Sequence, residues 1–149
     1  MKRRFATLFL AVLFLSGCVG SIGLPPEGVI EISERFFVLQ SNEILLNRAD
    51  YLGRTIQYEG MFRSVHWPPT DQYYHYVIRY TDDCCGAGGM VGFEVRLTGD
   101  MQPLEHDAWA KVIGVLEEYV AEDGITYLRV ALIELIELEE RGEEFVRGM

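Results

Sequence analysis

Positive charge is scarce in this sequence. Only 13 Lys and Arg face 23 Asp and Glu over 149 residues, a formal net charge of −10. Three of the basic side chains, Lys2, Arg3 and Arg4, crowd the N-terminus. A surface this acidic repels phosphate backbones, so nucleic acid is excluded as an expected partner. The chain also lacks a phosphate-cradling glycine loop, an HExxH helix and any pattern of nucleophile, base and orienting acid. Catalysis therefore has no support, and a non-enzymatic role is expected. Cysteine is sparse as well, with 3 residues in all, Cys18, Cys84 and Cys85. Beyond the N-terminus no apolar run approaches the roughly 20 residues needed to cross a bilayer.

What is present begins with a targeting segment. Lys2–Arg4 form a basic start, Phe5 to Leu15 run almost wholly apolar, and Leu15-Ser16-Gly17-Cys18 closes the stretch. A short apolar core between a basic start and small residues is a secretory signal. The small pair before cysteine resembles a lipobox. Residues 1–17 are therefore expected to be cleaved and Cys18 to carry the lipid. Each buried methylene contributes about 0.8 kcal/mol, so two or three acyl chains anchor durably. Val19 is not the aspartate of inner-membrane retention, which places the lipid in the outer membrane if the cell has one. The expected location is the cell envelope, with the domain on the exported side.

Processing at Cys18 leaves 132 residues (149 less 17) and a net charge of −13, because three basic and no acidic residues depart. That length suits one domain. Residues 18–28 read as the lipidated cysteine and a Pro/Gly tether, 29–138 as the domain, and 139–149 as an acidic tail, either helical or frayed. Glu31 to Gln40 is expected to start extended, with Phe36, Phe37, Val38 and Leu39 as its apolar core. Ser41 then suits an N-cap for a helix carrying Ile44, Leu45, Arg48, Tyr51 and Leu52, closed by Gly53.

After Gly53 the period changes to two. Ile56, Tyr58, Gly60 and Phe62 alternate with polar neighbours, as do Val91, Phe93, Val95 and Leu97. Tyr74, Tyr76, Ile78 and Tyr80 alternate with His75, Val77 and Arg79, and the tyrosines are expected to be half-buried core rather than a stacking platform. Ala110–Val120 and Ile125–Leu138 flank Ala121-Glu122-Asp123-Gly124, a hairpin turn. Leu128, Leu132, Leu135 and Leu138 would also suit a helix, but Tyr127, Val130 and Ile133 favour a strand to about Ile136. One helix and about five strands predict a mainly β fold, a small OB-like antiparallel barrel with the helix near its N-terminal side. A sandwich is the alternative.

The segment richest in chemistry is Asp82-Asp83-Cys84-Cys85-Gly86-Ala87-Gly88-Gly89. Thiolates beside carboxylates suit zinc or copper(I), with His75 or His66 as a nitrogen ligand if the fold brings one near. Adjacent cysteines match zinc spacing poorly, since two intervening residues are usual. The pair also suits a strained, easily reduced disulfide, or one thiol packed in the core as a small hydrophobe. His66-Trp67-Pro68-Pro69 reads as a rigid loop whose Trp67 caps the barrel mouth. His106 and Asp107 lie in a turn with no nucleophile to pair with them.

The order of these features resembles a known family. Asn47-Arg48-Ala49-Asp50-Tyr51-Leu52-Gly53-Arg54-Thr55-Ile56 precedes a strand ending in Glu59-Gly60-Met61-Phe62. Tyr76-Val77-Ile78-Arg79-Tyr80 then leads to Cys84-Cys85, and Asp107-Ala108-Trp109-Ala110-Lys111-Val112-Ile113-Gly114 follows. The run from about Glu31 to Ile136 is similar to the OB-like C-terminal domain of an uncharacterised bacterial permease-subunit family. The resemblance implies that Cys84 and Cys85 are the functional centre and that a membrane permease is a partner. Two features depart from it. Asp82 and Asp83 precede the cysteines instead of an acid following them, and a lipid anchor replaces transmembrane helices. The expected function is thus a membrane-anchored binding domain taking a soft metal through Cys84, Cys85, Asp82, Asp83 and His75. The alternative is a module docking on a permease or another envelope protein, with the cysteines structural or redox-active.

Overall fold

The computed structural model describes residues 28–81 and 88–147. Its elements are β1 (Ile30–Glu31), α1 (Phe37–Leu46), β2 (Thr55–Trp67), β3 (Gln72–Thr81), β4 (Met90–Arg96), β5 (Trp109–Val120), β6 (Thr126–Glu137) and β7 (Phe145–Val146). β2 pairs with β3, β3 with β4, and β4 in parallel with β6; β6 pairs with β5, and β5 returns to β2. Five strands thus close into a barrel of the OB type, not a sandwich. Among the described residues no helix is long and apolar enough to cross a membrane.

Closure depends on β2 serving two neighbours in turn. Thr55 to Met61 pair with β5, and Met61 to Trp67 pair with β3. The changeover falls at Met61, next to Gly60, where an added Cβ would lie 2.7 Å from the carbonyl oxygen of Ile78. Only glycine allows that approach of two backbones. In β4, Gly92 takes φ +144° and a Cβ there would strike the carbonyl oxygen of Val77.

The core follows the alternation that the sequence predicts in most strands. Ile56, Tyr58 and Phe62 from β2, Val91, Phe93 and Val95 from β4, and Val112 and Leu116 from β5 face inward with Val130 and Leu132 from β6. The run Thr126–Glu137 is a strand, antiparallel to β5 across the Asp123-Gly124 turn. Gly124 takes φ +77° there.

β3 turns its other face inward. Val77 and Arg79 are buried toward the barrel, while Tyr74 and Tyr76 lie half-buried on the outside. The reason is register. Phe62 of β2 already faces the core and sits opposite Val77, and directly opposed residues share a face. A strand with bulky side chains on both faces does not reveal that choice by itself.

The helix also starts earlier than expected. A 3-10 turn, Glu34–Phe36, leads straight into α1, so Phe37 to Gln40 are helical and Ser41 lies within the helix. Phe37, Ser41 and Ile44 form the buried stripe at i, i+4 and i+7. No side chain caps the N-terminus. Instead Gln40 fixes the entry: its Oε1 accepts from the Ser33 amide (2.9 Å), and its Nε2 donates to the Glu31 carbonyl (3.2 Å). Phe36 and Leu39, expected in the core, are exposed. After Leu46 a second 3-10 turn, Arg48–Asp50, precedes Gly53, whose φ is +78°.

As far as residue 147 the tail is neither helical nor frayed. β7 runs parallel to Tyr80 and Thr81, and Val146 joins the core. Nearby, the Arg79 side chain fills the gap where β2 leaves β3. Its Nε donates to the Glu59 carbonyl (2.8 Å) and its Nη1 to Glu34 Oε2 (2.9 Å) and the Glu143 carbonyl (3.1 Å). The guanidinium stands 4.9 Å from the ring centres of both Phe37 and Trp109. The Arg79 ion pair holds the Glu34 carboxyl below its ordinary range.

Candidate functional site

The sequence-based candidates divide by position. Cys18 lies outside the described residues, as do Asp82, Asp83, Cys84 and Cys85. The ends of the cysteine segment are described: the Thr81 amide donates to the Gly89 carbonyl (2.8 Å), and the Gly89 amide donates to Thr81 Oγ1 (3.0 Å). His75 sits six residues from Thr81 along β3, about 20 Å at the rise of an extended strand. Its Nδ1 is 2.8 Å from Ser64 Oγ and its ring stacks on Phe62 at 5.4 Å. Burial lowers its pKa from the ordinary histidine value. His66 is bonded to Asp71 at 2.8 Å, with its ring 4.8 Å from that of Tyr73. Neither histidine is brought to the described ends of the cysteine segment. Among the described residues no group of three or more His, Cys, Asp and Glu side chains is placed to hold a metal. His106 and Asp107 meet Arg63, which also donates to Tyr80 Oη at 2.6 Å. These contacts tie a turn to the barrel wall.

A cleft of about 600 Å³ opens at the other end of β3, on the outer face of β3 and β4. Tyr74 and Tyr76 of β3 and Glu94 of β4 line it; Tyr76 and Glu94 are cross-strand partners. On one side stand Val65 and Trp67 of β2, with Pro69 and Thr70 of the turn that follows. On the other are Tyr119, Tyr127 and the Ala121–Asp123 turn. Trp67, expected to cap the barrel mouth, is 53% exposed and lines this cleft instead. Tyr74 and Tyr76 are half-buried as their alternation predicts, but against the cleft, whereas Tyr80 is half-buried against Phe145 and Tyr73 is exposed.

Two hydrogen-bond sets fix the walls. Tyr119 Oη donates to Glu94 Oε2 at 2.7 Å, joining the β5–β6 hairpin to β4. Tyr127 Oη donates to Asp123 Oδ2 at 3.0 Å, while Asp123 Oδ1 accepts the Ile125 amide at 2.8 Å. The Tyr119 and Tyr127 rings are cross-strand neighbours 5.9 Å apart. Beside the cleft, Glu117 takes Arg96 Nε at 2.8 Å and Arg129 Nε at 2.7 Å. That pairing, led by Arg96, holds its carboxyl down at about 2.

The electrostatics run the other way at Glu94. Burial raises its carboxyl pKa, against the lowering effects of the Tyr119 hydrogen bond and Arg129. Burial also raises the phenols of Tyr76 and Tyr119, and Glu94 adds to both. Glu94, Glu122 and Asp123 line the cleft, and among the described residues no Lys or Arg does. What the arrangement offers is a set of aromatic faces around desolvated negative charge.

The sequence reading did not single out Glu94, Tyr119 or Tyr127. The usable signals were the Pro68-Pro69 turn and the Asp123-Gly124 hairpin. In OB-type barrels the loops between strands 1 and 2 and between strands 4 and 5 flank the binding face. Those positions fall here on 68–71 and 121–125.

Comparison with the curated proteins gives no match. A family profile described as the DUF1980 C-terminal domain matches residues 24–142, which covers the barrel and the start of the tail. The chain belongs to the DUF1980 C-terminal domain family.

Proposed function

We propose that this protein is a lipid-anchored, non-enzymatic binding domain of the cell envelope, with its ligand site in the cleft between the 68–71 and 121–125 turns. The observation that carries the binding reading is the cleft itself. At about 600 Å³, aromatic-lined and bounded by two fixed hairpin turns, it has the size and lining of a small-ligand site. The test is a fragment screen by NMR on the full chain in maltoside micelles. Binding fragments should shift resonances at Tyr74, Tyr76, Glu94 and Tyr127 together. Absence of hits, or hits scattered over the surface, would remove the reading.

The anchor rests on the basic, apolar and small residues that lead to Cys18. Gly28, where the described residues begin, lies ten residues beyond it. A tether of that length spans at most about 35 Å, so the domain works close to the membrane surface. Cys18→Ser should move the protein out of the membrane fraction. Its retention there would count against lipidation.

A second reading concerns Cys84 and Cys85, whose segment leaves β3 at Thr81, about 30 Å from the cleft end of that strand. With Asp82 and Asp83 the pair supplies soft and hard donors for zinc or copper(I), or a redox element in a module docked on a membrane permease. Under reducing conditions the metal reading expects near-unit stoichiometry, lost in the Cys84→Ser/Cys85→Ser variant. Crosslinking in membranes that recovers an integral partner supports docking; recovery of monomer alone opposes it.

A further inference from the structure

The chemistry of the cleft walls selects among ligand classes. The geometry points to a small organic ammonium cation as the occupant, held by its onium group against the rings of Tyr76, Tyr119 and Tyr127 with Glu94 as counter-charge. This inference rests on the reading of the cleft as the ligand site.

Three observations carry it. First, five aromatic residues line the cleft: Trp67, Tyr74, Tyr76, Tyr119 and Tyr127. The faces of such rings attract cations, most strongly where water is excluded. The protein already uses one of these rings in that way, for the Arg129 guanidinium stands 4.1 Å from the centre of the Tyr119 ring. Second, among the described residues three carboxylates and no basic side chain line the space. Phosphates and carboxylates are repelled, so the stacked bases of an oligonucleotide would arrive without the basic groove that single-strand binding requires. Third, Glu94 is half-buried without full compensation. Tyr119 occupies its Oε2, and Oε1 accepts no hydrogen bond among the described residues. Arg129 is its register partner on β6 but is committed to Glu117 at 2.7 Å. A desolvated carboxylate in this setting gains from an incoming cation.

An alkylammonium group satisfies all three conditions. Its polarised methyl or methylene hydrogens meet the ring faces, and its charge meets Glu94. Volume sets the scale: about 600 Å³ admits a drug-sized molecule rather than a bare inorganic ion. The same group could come from a free metabolite or from a lysine side chain, and the two are separable by experiment.

The experiment is a titration of the full chain in maltoside micelles, read by the fluorescence of Trp67. Trp67 is 53% exposed in the cleft, whereas Trp109 is 2% exposed in the barrel. Choline, tetramethylammonium, spermidine and N-acetyl-lysine methylamide form the cationic arm. The neutral isostere 3,3-dimethyl-1-butanol and a short oligonucleotide form the other. An ammonium ligand should bind at least about tenfold tighter than the neutral isostere, and more weakly as salt rises. Glu94→Gln and Tyr76→Leu should each cost about tenfold or more. Leu39→Ser, on the exposed side of α1 and away from the cleft, should bind as wild type. Glu94→Gln keeps the Tyr119 acceptor and removes a buried charge, so its urea midpoint should not fall, which separates lost binding from lost folding. Stronger binding by free choline or spermidine assigns a metabolite; stronger binding by the lysine derivative assigns a protein side chain. Equal binding of choline and its isostere overturns the cation inference and leaves the cleft as a binding site. So does binding of the oligonucleotide alone. No binding by any member overturns both.

Discussion

Arg79→Met tests whether the buried cation clamps the seam of the barrel. Arg79 is 2% exposed and donates to two backbone carbonyls, at 2.8 Å to Glu59 and 3.1 Å to Glu143, and to Glu34 at 2.9 Å. Methionine fills similar apolar volume, so the cavity term is small. What it cannot do is donate. Each carbonyl left without its charged donor costs about 1–3 kcal/mol. Loss of the guanidinium between the Phe37 and Trp109 rings removes a further ~2 kcal/mol. Against this stands relief from burying the charge, several kcal/mol in general, but lessened here because Glu34 offers a counterion. Glu34 itself is 47% exposed and can rehydrate, so its own loss weighs little. The net expectation is a destabilisation of about 3–5 kcal/mol, in the range measured when one partner of a buried ion pair is removed. With a urea slope of about 1.5 kcal/mol/M, the midpoint falls by roughly 2–3 M. Equilibrium urea unfolding of the full chain in maltoside reads this directly, and the slope should not change. Arg79→Lys should recover less than half, since one ammonium cannot serve both carbonyls and Glu34 together. Glu34→Gln should cost under about 1 kcal/mol. A midpoint for Arg79→Met within about 0.3 M of wild type would refute the clamp.

Three further outcomes follow from other contacts. Glu117 falls from an ordinary 4.5 to about 2 in the folded protein because Arg96, then Arg129, hydrogen-bonds its carboxylate. A folded value below the unfolded one adds stability that is complete above about pH 4.5 and is lost as pH falls toward 2, so Glu117→Gln should flatten that acid limb in urea midpoints taken across the range. Gly92→Ala forces a side chain into φ +144° and against the Val77 carbonyl, and thermal unfolding should report a loss of about 3 kcal/mol. Ending the chain after Leu138 removes β7, the buried Val146 and the Glu143 carbonyl. That should cost at least about 2–3 kcal/mol in the same assay, where a frayed tail would cost nothing.

Much of the barrel was legible because its local rules are short-ranged. Val91, Phe93 and Val95 alternate and face the core as a period of two requires, and Asp123-Gly124 turns the hairpin between β5 and β6. The helix was legible in existence but not in extent. Its start depends on Gln40 reaching back to Ser33 and Glu31, seven and nine residues away, which no capping pattern encodes. The tail strand was hidden for a similar reason: Phe145 and Val146 are a lone apolar pair after an acidic run, and only the gap beside Tyr80 and Thr81 gives them a place.

By itself, then, the sequence determined a mainly β barrel, its turns, the acidic surface and the candidate anchor at Cys18. Those depend on composition and on neighbours a few residues apart. Tertiary structure alone decided which face of β3 meets the core, because the answer lies in the pairing of Val77 with Phe62. It also decided the cleft. Trp67, Tyr76, Glu94, Tyr119 and Tyr127 come from five strands and meet only because β4 closes against β6 and the two hairpins flank the same outer face. A property made by closure cannot be read from any segment that is being closed.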